Sequence, residues 1–307
     1  LVAGPDFAAV VGDALRDAAR ALLREIDFAR EGANLQQARA FYKLNRRIRV
    51  PAPVGAPLDR GIFMEFVEAV PLLDAPLNPE SRREAARQVF RRLLLDPLFS
   101  GLSESIFHAD PHAGNLMLQT QKPGALTLVL LDWSQAGRLT ASLRHALIEL
   151  CFYCVIGKEP SPDVLMRLLE SSAKSIRIAL PQGAGNPLQA AFEIVQQLAL
   201  KGHPVPLDLL LLRKSFLTLD GITRQLDPDF DAWLATLVYG SEVFTSEAVF
   251  RSWSLPFPWL DRPDFYRSGL STRRLAAHLA GTMPKICANA QNFLARFKNP
   301  WDVALEA

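Results

Sequence analysis

Phe107-His108-Ala109-Asp110-Pro111-His112-Ala113-Gly114-Asn115 is followed, a short way along the chain, by Leu131-Asp132-Trp133. Between these stretches Leu116-Met117-Leu118 and Leu126 to Leu131 are apolar runs, and Gln121-Lys122-Pro123-Gly124 separates them. Two apolar runs around a Pro-Gly turn predict a β-hairpin. A tight hairpin brings its two ends together, so Asp110, Asn115 and Asp132 are expected to meet in one cleft. An amide oxygen and a carboxylate are hard donors suited to Mg²⁺. A second carboxylate is then free to orient a hydroxyl group.

That division of labour is what phosphoryl transfer requires, and the spacing from Asp110 to Asn115 is that of the protein-kinase loop H-R-D-x-x-x-x-N. The Asp that ends the following strand stands where the metal-binding D-F-G stands. Two blander readings compete. In one, Asp110 and Asn115 only make turn hydrogen bonds and the histidines only pack. In the other, His108, Asp110 and His112 hold a metal, which leaves Asn115 and Asp132 unexplained.

Upstream, Asp6 to about Arg47 is rich in Ala, Leu, Arg and Glu, with Leu15, Ala18, Ala19, Leu22, Leu23 and Ile26 at helical spacing. This predicts a long helix, broken near Gly32. The stretch from Ile48 to Val67 predicts two short strands around a Pro/Gly turn, the second over Ile62 to Val67. Asn78-Pro79-Glu80-Ser81 opens another helix, with Ser81 and Glu84 spaced as a capping box and an end near Asp96-Pro97. Beyond about Thr140 the pattern is helical. Near Asn186, an N-cap, Pro187 at the first turn, a stripe of Leu188, Phe192, Val195 and Leu198, and a terminating Gly202 outline one helix completely.

The 307 residues carry 34 Lys and Arg against 32 Asp and Glu, with 49% hydrophobic residues, which describes a globular chain long enough for two lobes. A net charge of +2 makes nucleic acid an unexpected partner. Three cysteines, Cys151, Cys154 and Cys287, form neither a disulfide framework nor a zinc site, and the Cys151–Cys154 pair sits in an apolar helical run where packing is the simpler role. No apolar stretch reaches the ~18 residues of a membrane span, and acids near the N-terminus argue against a signal peptide. A cytoplasmic location, with peripheral contact to the inner membrane surface, is the expectation.

FHADPHAGNLML, together with Glu25-Ile26-Asp27-Phe28-Ala29-Arg30-Glu31-Gly32-Ala33-Asn34, resembles the UbiB or AarF-type atypical kinase-like family associated with ubiquinone and prenyl-lipid metabolism. Phe216 to Ile222 and Gln225-Leu226-Asp227-Pro228 are similar to a later stretch of that family, so the resemblance covers roughly residues 6 to 230. It implies ATP as substrate, Mg²⁺ as cofactor and a prenyl-lipid or quinone precursor as partner. It also implies Asp110 as the catalytic-loop carboxylate, beside His108, and Asn115 and Asp132 as metal ligands. Glu25 would be the helix glutamate that pairs with a phosphate-binding lysine, Asp27 would complete the Glu-x-Asp motif, and Met64, Glu65 and Phe66 would form the hinge under the adenine.

Several residues depart from the family pattern. Trp133 and Ser134 replace the Phe and Gly of D-F-G, and Ala113 replaces a usual Pro. The Lys-x-Gly-Gln signature, the Ala-rich loop and the Val-Ala-x-Lys strand would precede Leu1, which is not Met. The expected fold is therefore α+β and helix-dominant, protein-kinase-like without most of its N-terminal lobe. Its expected segments are 1–67 (N-terminal lobe remnant), 68–160 (catalytic core) and 161–307 (helical extension). Two other functions compete with a kinase or ATPase. An aminoglycoside- or choline-kinase-like phosphotransferase would share the loop and the Asp-Trp, and a pseudokinase or lipid-binding scaffold could rest Trp253 to Leu260 on a membrane surface.

Overall fold

The first helix of the computed structural model, α1 (Phe28–Tyr42), starts where Asp27 Oδ1 accepts the Arg30 amide at 2.9 Å, satisfying one of the free donors at a helix start. The structure describes residues 27–58, 61–122, 125–169, 178, 180–181, 187–254 and 256–279. Glu25 and the upstream part of the expected long helix lie outside them. α1 does not break at Gly32. A Cβ there would sit 2.6 Å from the Pro57 ring, so the glycine serves a close approach rather than an interruption. The buried face of α1 is polar at its start, with Glu31 and Asn34, and apolar further on, with Leu35, Ala38 and Tyr42.

Four strands form one sheet in the order β1 (Ile48–Arg49), β5 (Ala125–Leu130), β4 (Leu116–Lys122), β2 (Val70–Pro71). The expected hairpin is β4–β5, antiparallel, with Leu116 opposite Leu130 and Leu118 opposite Leu128. β1 runs parallel to β5. A second ribbon pairs β3 (Glu104–His108) with β6 (Ala136–Thr140), His108 facing Ala136. The expected second strand over Ile62 to Val67 is not regular: Met64 only bridges Pro53, and Phe66 is 91% exposed. Prolines at 51, 53 and 57 remove the amide donors a regular ladder needs there.

α2 (Pro79–Phe90) is capped by Asn78, whose Oδ1 accepts the Ser81 amide at 2.8 Å, and Pro79 fills the first turn, where no amide is missed. Asn78 therefore takes the capping role expected of Ser81, and the Glu84 carboxylate instead meets Gln88 and Arg47. The helix continues through a wider turn, Arg91–Leu95, to Leu98. Phe90 packs against Phe216 and Phe230, which places α6 (Leu207–Leu226) on α2.

The chain organises into two compact units: one runs to Thr140 and resumes over Leu207–Tyr239, and the other covers Ala141–Pro206 and resumes at Gly240. The second unit holds α3 (Ala141–Ile156), α4 (Pro162–Leu168), α5 (Pro187–Leu200), most of α7 (Ala232–Ser254) and α8 (Thr272–Leu279). α5 buries the predicted stripe of Leu188, Phe192, Val195 and Leu198. Its N-cap, Asn186, lies outside the described residues. Within this unit the buried Glu149 of α3 accepts hydrogen bonds from Arg167, Arg274 and His278. Burial pushes the Cys151 thiol well up and the Cys154 thiol up to about 12, which favours the protonated form of both.

Candidate active site

The site is the turn between β3 and β4, held against the end of β5. Asn115 is buried, and its Nδ2 donates to the Asp110 carbonyl at 3.2 Å. The carbonyl of Asn115 accepts the Leu131 amide at 3.0 Å. These two bonds tie the loop to the strand end and place Asp132 beside it. Among the described residues the Asn115 amide oxygen accepts no hydrogen bond and remains open to a cation.

Asp132 is exposed and has φ of 52°, the left-handed region in which Asp and Asn are the tolerated side chains. Its Oδ1 accepts the Ser134 amide at 3.1 Å and the Ser134 hydroxyl at 2.6 Å. Serine at the usual glycine position thus fixes the carboxylate through Oδ1, and neither of these two bonds uses Oδ2. Trp133 is fully buried, with its ring 4.8 Å from that of His108 and 6.5 Å from that of Tyr42.

His108 is fully buried between loop and strand. Nε2 lies 2.8 Å from the Leu131 carbonyl, and Nδ1 accepts the Asp110 amide at 3.2 Å. The carbonyl requires Nε2 to carry the proton, and burial holds the ring's pKa below its ordinary value. His108 is therefore a neutral brace that positions Asp110. His112 is exposed and accepts the Gly114 amide. No three His, Cys, Asp or Glu side chains cluster as a metal set among the described residues, so the His108, Asp110, His112 metal reading is dropped.

The unfolded chain binds the His108 proton first, near pH 6.5. The brace therefore contributes fully above that pH and progressively less as pH falls below it. His145, lowered by burial and by Arg144, acts in the same direction. Stability should fall by up to about 1.4 kcal/mol per pH unit for each such histidine as pH drops from 6.5 towards 5. Melting curves at pH 7.5 and 5.5 check this. His108→Gln should show the smaller drop, and equal drops in both proteins would remove His108 as the source.

Sequence reasoning missed three participants. Asn34, fully buried in α1, donates from Nδ2 to the Trp133 carbonyl at 2.8 Å and accepts Arg138 on Oδ1 at 2.9 Å. Glu31, one turn earlier, has its carboxyl pushed upward by burial and by the charge of Asp132, against a hydrogen bond from the Trp133 backbone. Lys214 of α6 places Nζ 2.8 Å from Asp110 Oδ1. The helical spacing of Glu31 and Asn34 was legible, but nothing in the sequence tied them to Asp132.

Other expected residues stand apart from this cluster. Asp27 serves as the cap of α1. Glu65 uses its carboxylate on Arg49 and on the Ala52 amide, which holds it below the usual range, while its own amide donates to the Ala52 carbonyl. Met64 is half-buried and Phe66 exposed.

Residues 5–160 match the ABC1 atypical kinase-like domain. Proteins named probable protein kinase UbiB are similar to the chain. The one from Xanthomonas campestris pv. campestris (strain B100) is 27% identical over 91% of this chain and 49% of its own length. The one from Xylella fastidiosa (strain M23) is 26% identical over 69% and 42%. The chain thus spans about half the length of the curated relatives it matches. A Mycobacterium tuberculosis protein solved in complex with erythromycin is similar at 17% identity, with a TM-score of 0.42 over 66% of this chain and 55% of that one. With half the chain matched and the loop, hairpin and helix contacts in place, the chain belongs to the ABC1 atypical kinase-like family.

Proposed function

We propose that the chain carries the catalytic loop of an ATP-dependent, Mg²⁺-requiring phosphotransferase or ATPase of the UbiB type, serving ubiquinone or prenyl-lipid metabolism. The observation that carries this reading is the pair of hydrogen bonds through Asn115, which gather Asp110, Asn115 and Asp132. The donors fit a divalent cation: the Asn115 amide oxygen and the Asp132 carboxylate, with the carboxyl of Glu31 close enough that, besides burial, the charge of Asp132 pushes it upward. Asn115 and Asp132 would hold Mg²⁺, which supplies charge neutralisation on the phosphates. Asp110, braced by His108, orients the hydroxyl of an alcohol or of water for attack on the terminal phosphorus.

Exposed Trp253 and Trp259, at 69% and 67%, support a peripheral contact with a lipid surface. No described helix is long and apolar enough to cross a membrane. Thermal unfolding of the full-length protein with ATP, with and without Mg²⁺, tests the reading. Saturation at about 100 times the dissociation constant should add roughly 2.7 kcal/mol of stability, and only with Mg²⁺. A melting temperature indifferent to Mg²⁺-ATP sinks it, and a shift driven by an aminoglycoside or choline would transfer the site to a small-molecule phosphotransferase.

A further inference from the structure

The Lys214–Asp110 ion pair is half open to solvent: the lysine side chain is 48% exposed and the aspartate 28%. Exposed pairs contribute at most about 1 kcal/mol to stability, so folding alone does not account for a lysine at this place. The helix that delivers it is nevertheless fixed. The next residue, Ser215, is fully buried and donates from Oγ to the His108 carbonyl at 3.0 Å. Asp208, at the start of α6, accepts the Arg138 amide of β6 at 2.8 Å. Phe216 packs on Phe90. α6 is thus anchored to the catalytic loop at the residue beside Lys214, while the lysine side chain is half exposed.

A triphosphate brings several negative charges to a cleft where Asp110, Asp132 and Glu31 are themselves carboxylates. An ammonium bonded to Asp110 lies within a few ångströms of whatever Asp110 orients. It has three donors, and the ion pair uses one. Arg138, a nearby cation on β6, is spent on Asn34 and Gln37. Resting on the ATP reading above, we propose that Lys214 is a catalytic residue that binds the terminal phosphoryl group of the nucleoside triphosphate while keeping its bond to Asp110. In the step it assists, the acceptor oxygen bonds to the terminal phosphorus, the bond from that phosphorus to the bridging oxygen breaks and the diphosphate leaves. The acceptor proton passes to Asp110 and then to solvent. Lys214 neutralises charge on the phosphoryl oxygens throughout. It lies beyond the 5–160 stretch that matches the family domain, so the chain completes its site with a residue from α6.

The test uses the full-length protein and compares dissociation constants for Mg²⁺-ATP and Mg²⁺-ADP in the wild type, Lys214→Met, Lys214→Gln and Ser215→Ala. Losing a charge-assisted bond to the terminal phosphate should weaken ATP about ten- to hundred-fold in both lysine variants and ADP less than about threefold. Turnover should fall by about 10²-fold or more. Ser215→Ala, which removes only the anchor, should lower the melting temperature and leave the ratio of the two constants unchanged. An unchanged ratio in a folded Lys214→Met or Lys214→Gln protein, or equal loss for both nucleotides, overturns the inference and leaves the ATP reading standing. A wild type that binds neither nucleotide overturns both.

Discussion

Replacing Glu149 by Ala should lower the melting temperature by about ten degrees, the largest stability effect expected of a single substitution in this chain. The carboxylate is 1% exposed. Its Oε1 accepts Arg274 Nε at 2.7 Å and His278 Nε2 at 2.9 Å, and its Oε2 accepts Arg167. Both arginines also reach the Asp163 carboxylate, which Arg274 chiefly holds below its usual range. Removing Glu149 leaves two guanidinium groups converging with only the largely exposed Asp163 carboxylate to meet their charge. Breaking one partner of a buried pair costs about 3 to 5 kcal/mol, which at ~2 to 4 °C per kcal/mol gives the stated shift. Asp163 is 57% exposed, so Asp163→Asn should cost about 1 kcal/mol or less. Calorimetry of the two variants beside the wild type decides the matter, and equal small shifts would mean that solvent screens the cluster. The same bonds hold α8 to α3 and α4, so Glu149→Ala should also expose the region of Thr272–Leu279 to proteolysis.

Glu149 shows why part of this molecule was not legible in the sequence. It sits in an apolar run, Ala146 to Ile156, and its partners lie 18, 125 and 129 residues away, so no local pattern connects them. The β4–β5 hairpin was legible because apolar runs around a Pro-Gly turn are local signals, and the expectation for Asp110, Asn115 and Asp132 came from it together with the five-residue loop spacing. β6 was not. It begins Ala136-Gly137-Arg138, and Gly137 weakens any strand signal, yet the structure needs it because a Cβ there would lie 2.1 Å from the Phe107 ring. Lys214 was invisible for the same reason as Glu149: its meaning comes from a helix that returns to the catalytic loop after an intervening unit. In the aromatic stretch Trp253 to Leu260, Trp253 and Trp259 stand in solvent, and the Trp259 ring lies tilted at 5.3 Å from that of Phe257.

Asp132→Asn separates chemistry from architecture at the proposed metal site. Asparagine tolerates a φ of 52° as well as aspartate does, and its amide oxygen can still accept the Ser134 amide and hydroxyl. The variant should therefore melt within about 1 kcal/mol of the wild type. Asp132→Ala, which puts an unsupported side chain into the left-handed region, should lose about 1 to 2 kcal/mol. What the asparagine removes is the negative charge. On the proposed reading that charge holds the cation against the phosphates, and ATP turnover in the full-length protein should fall at least about 10³-fold. The Mg²⁺-dependent thermal shift should vanish with it. The charge of Asp132 also helps to push up the carboxyl of Glu31, so in the variant the Glu31 titration should move back towards the ordinary carboxylate range while burial keeps it raised. That movement reports the loss of charge independently of any nucleotide. If it occurs and turnover stays within about threefold of the wild type, the charge at Asp132 is not used in the reaction, and the loop around Asp110 and Asn115 belongs to a scaffold that keeps the kinase-like geometry without the chemistry.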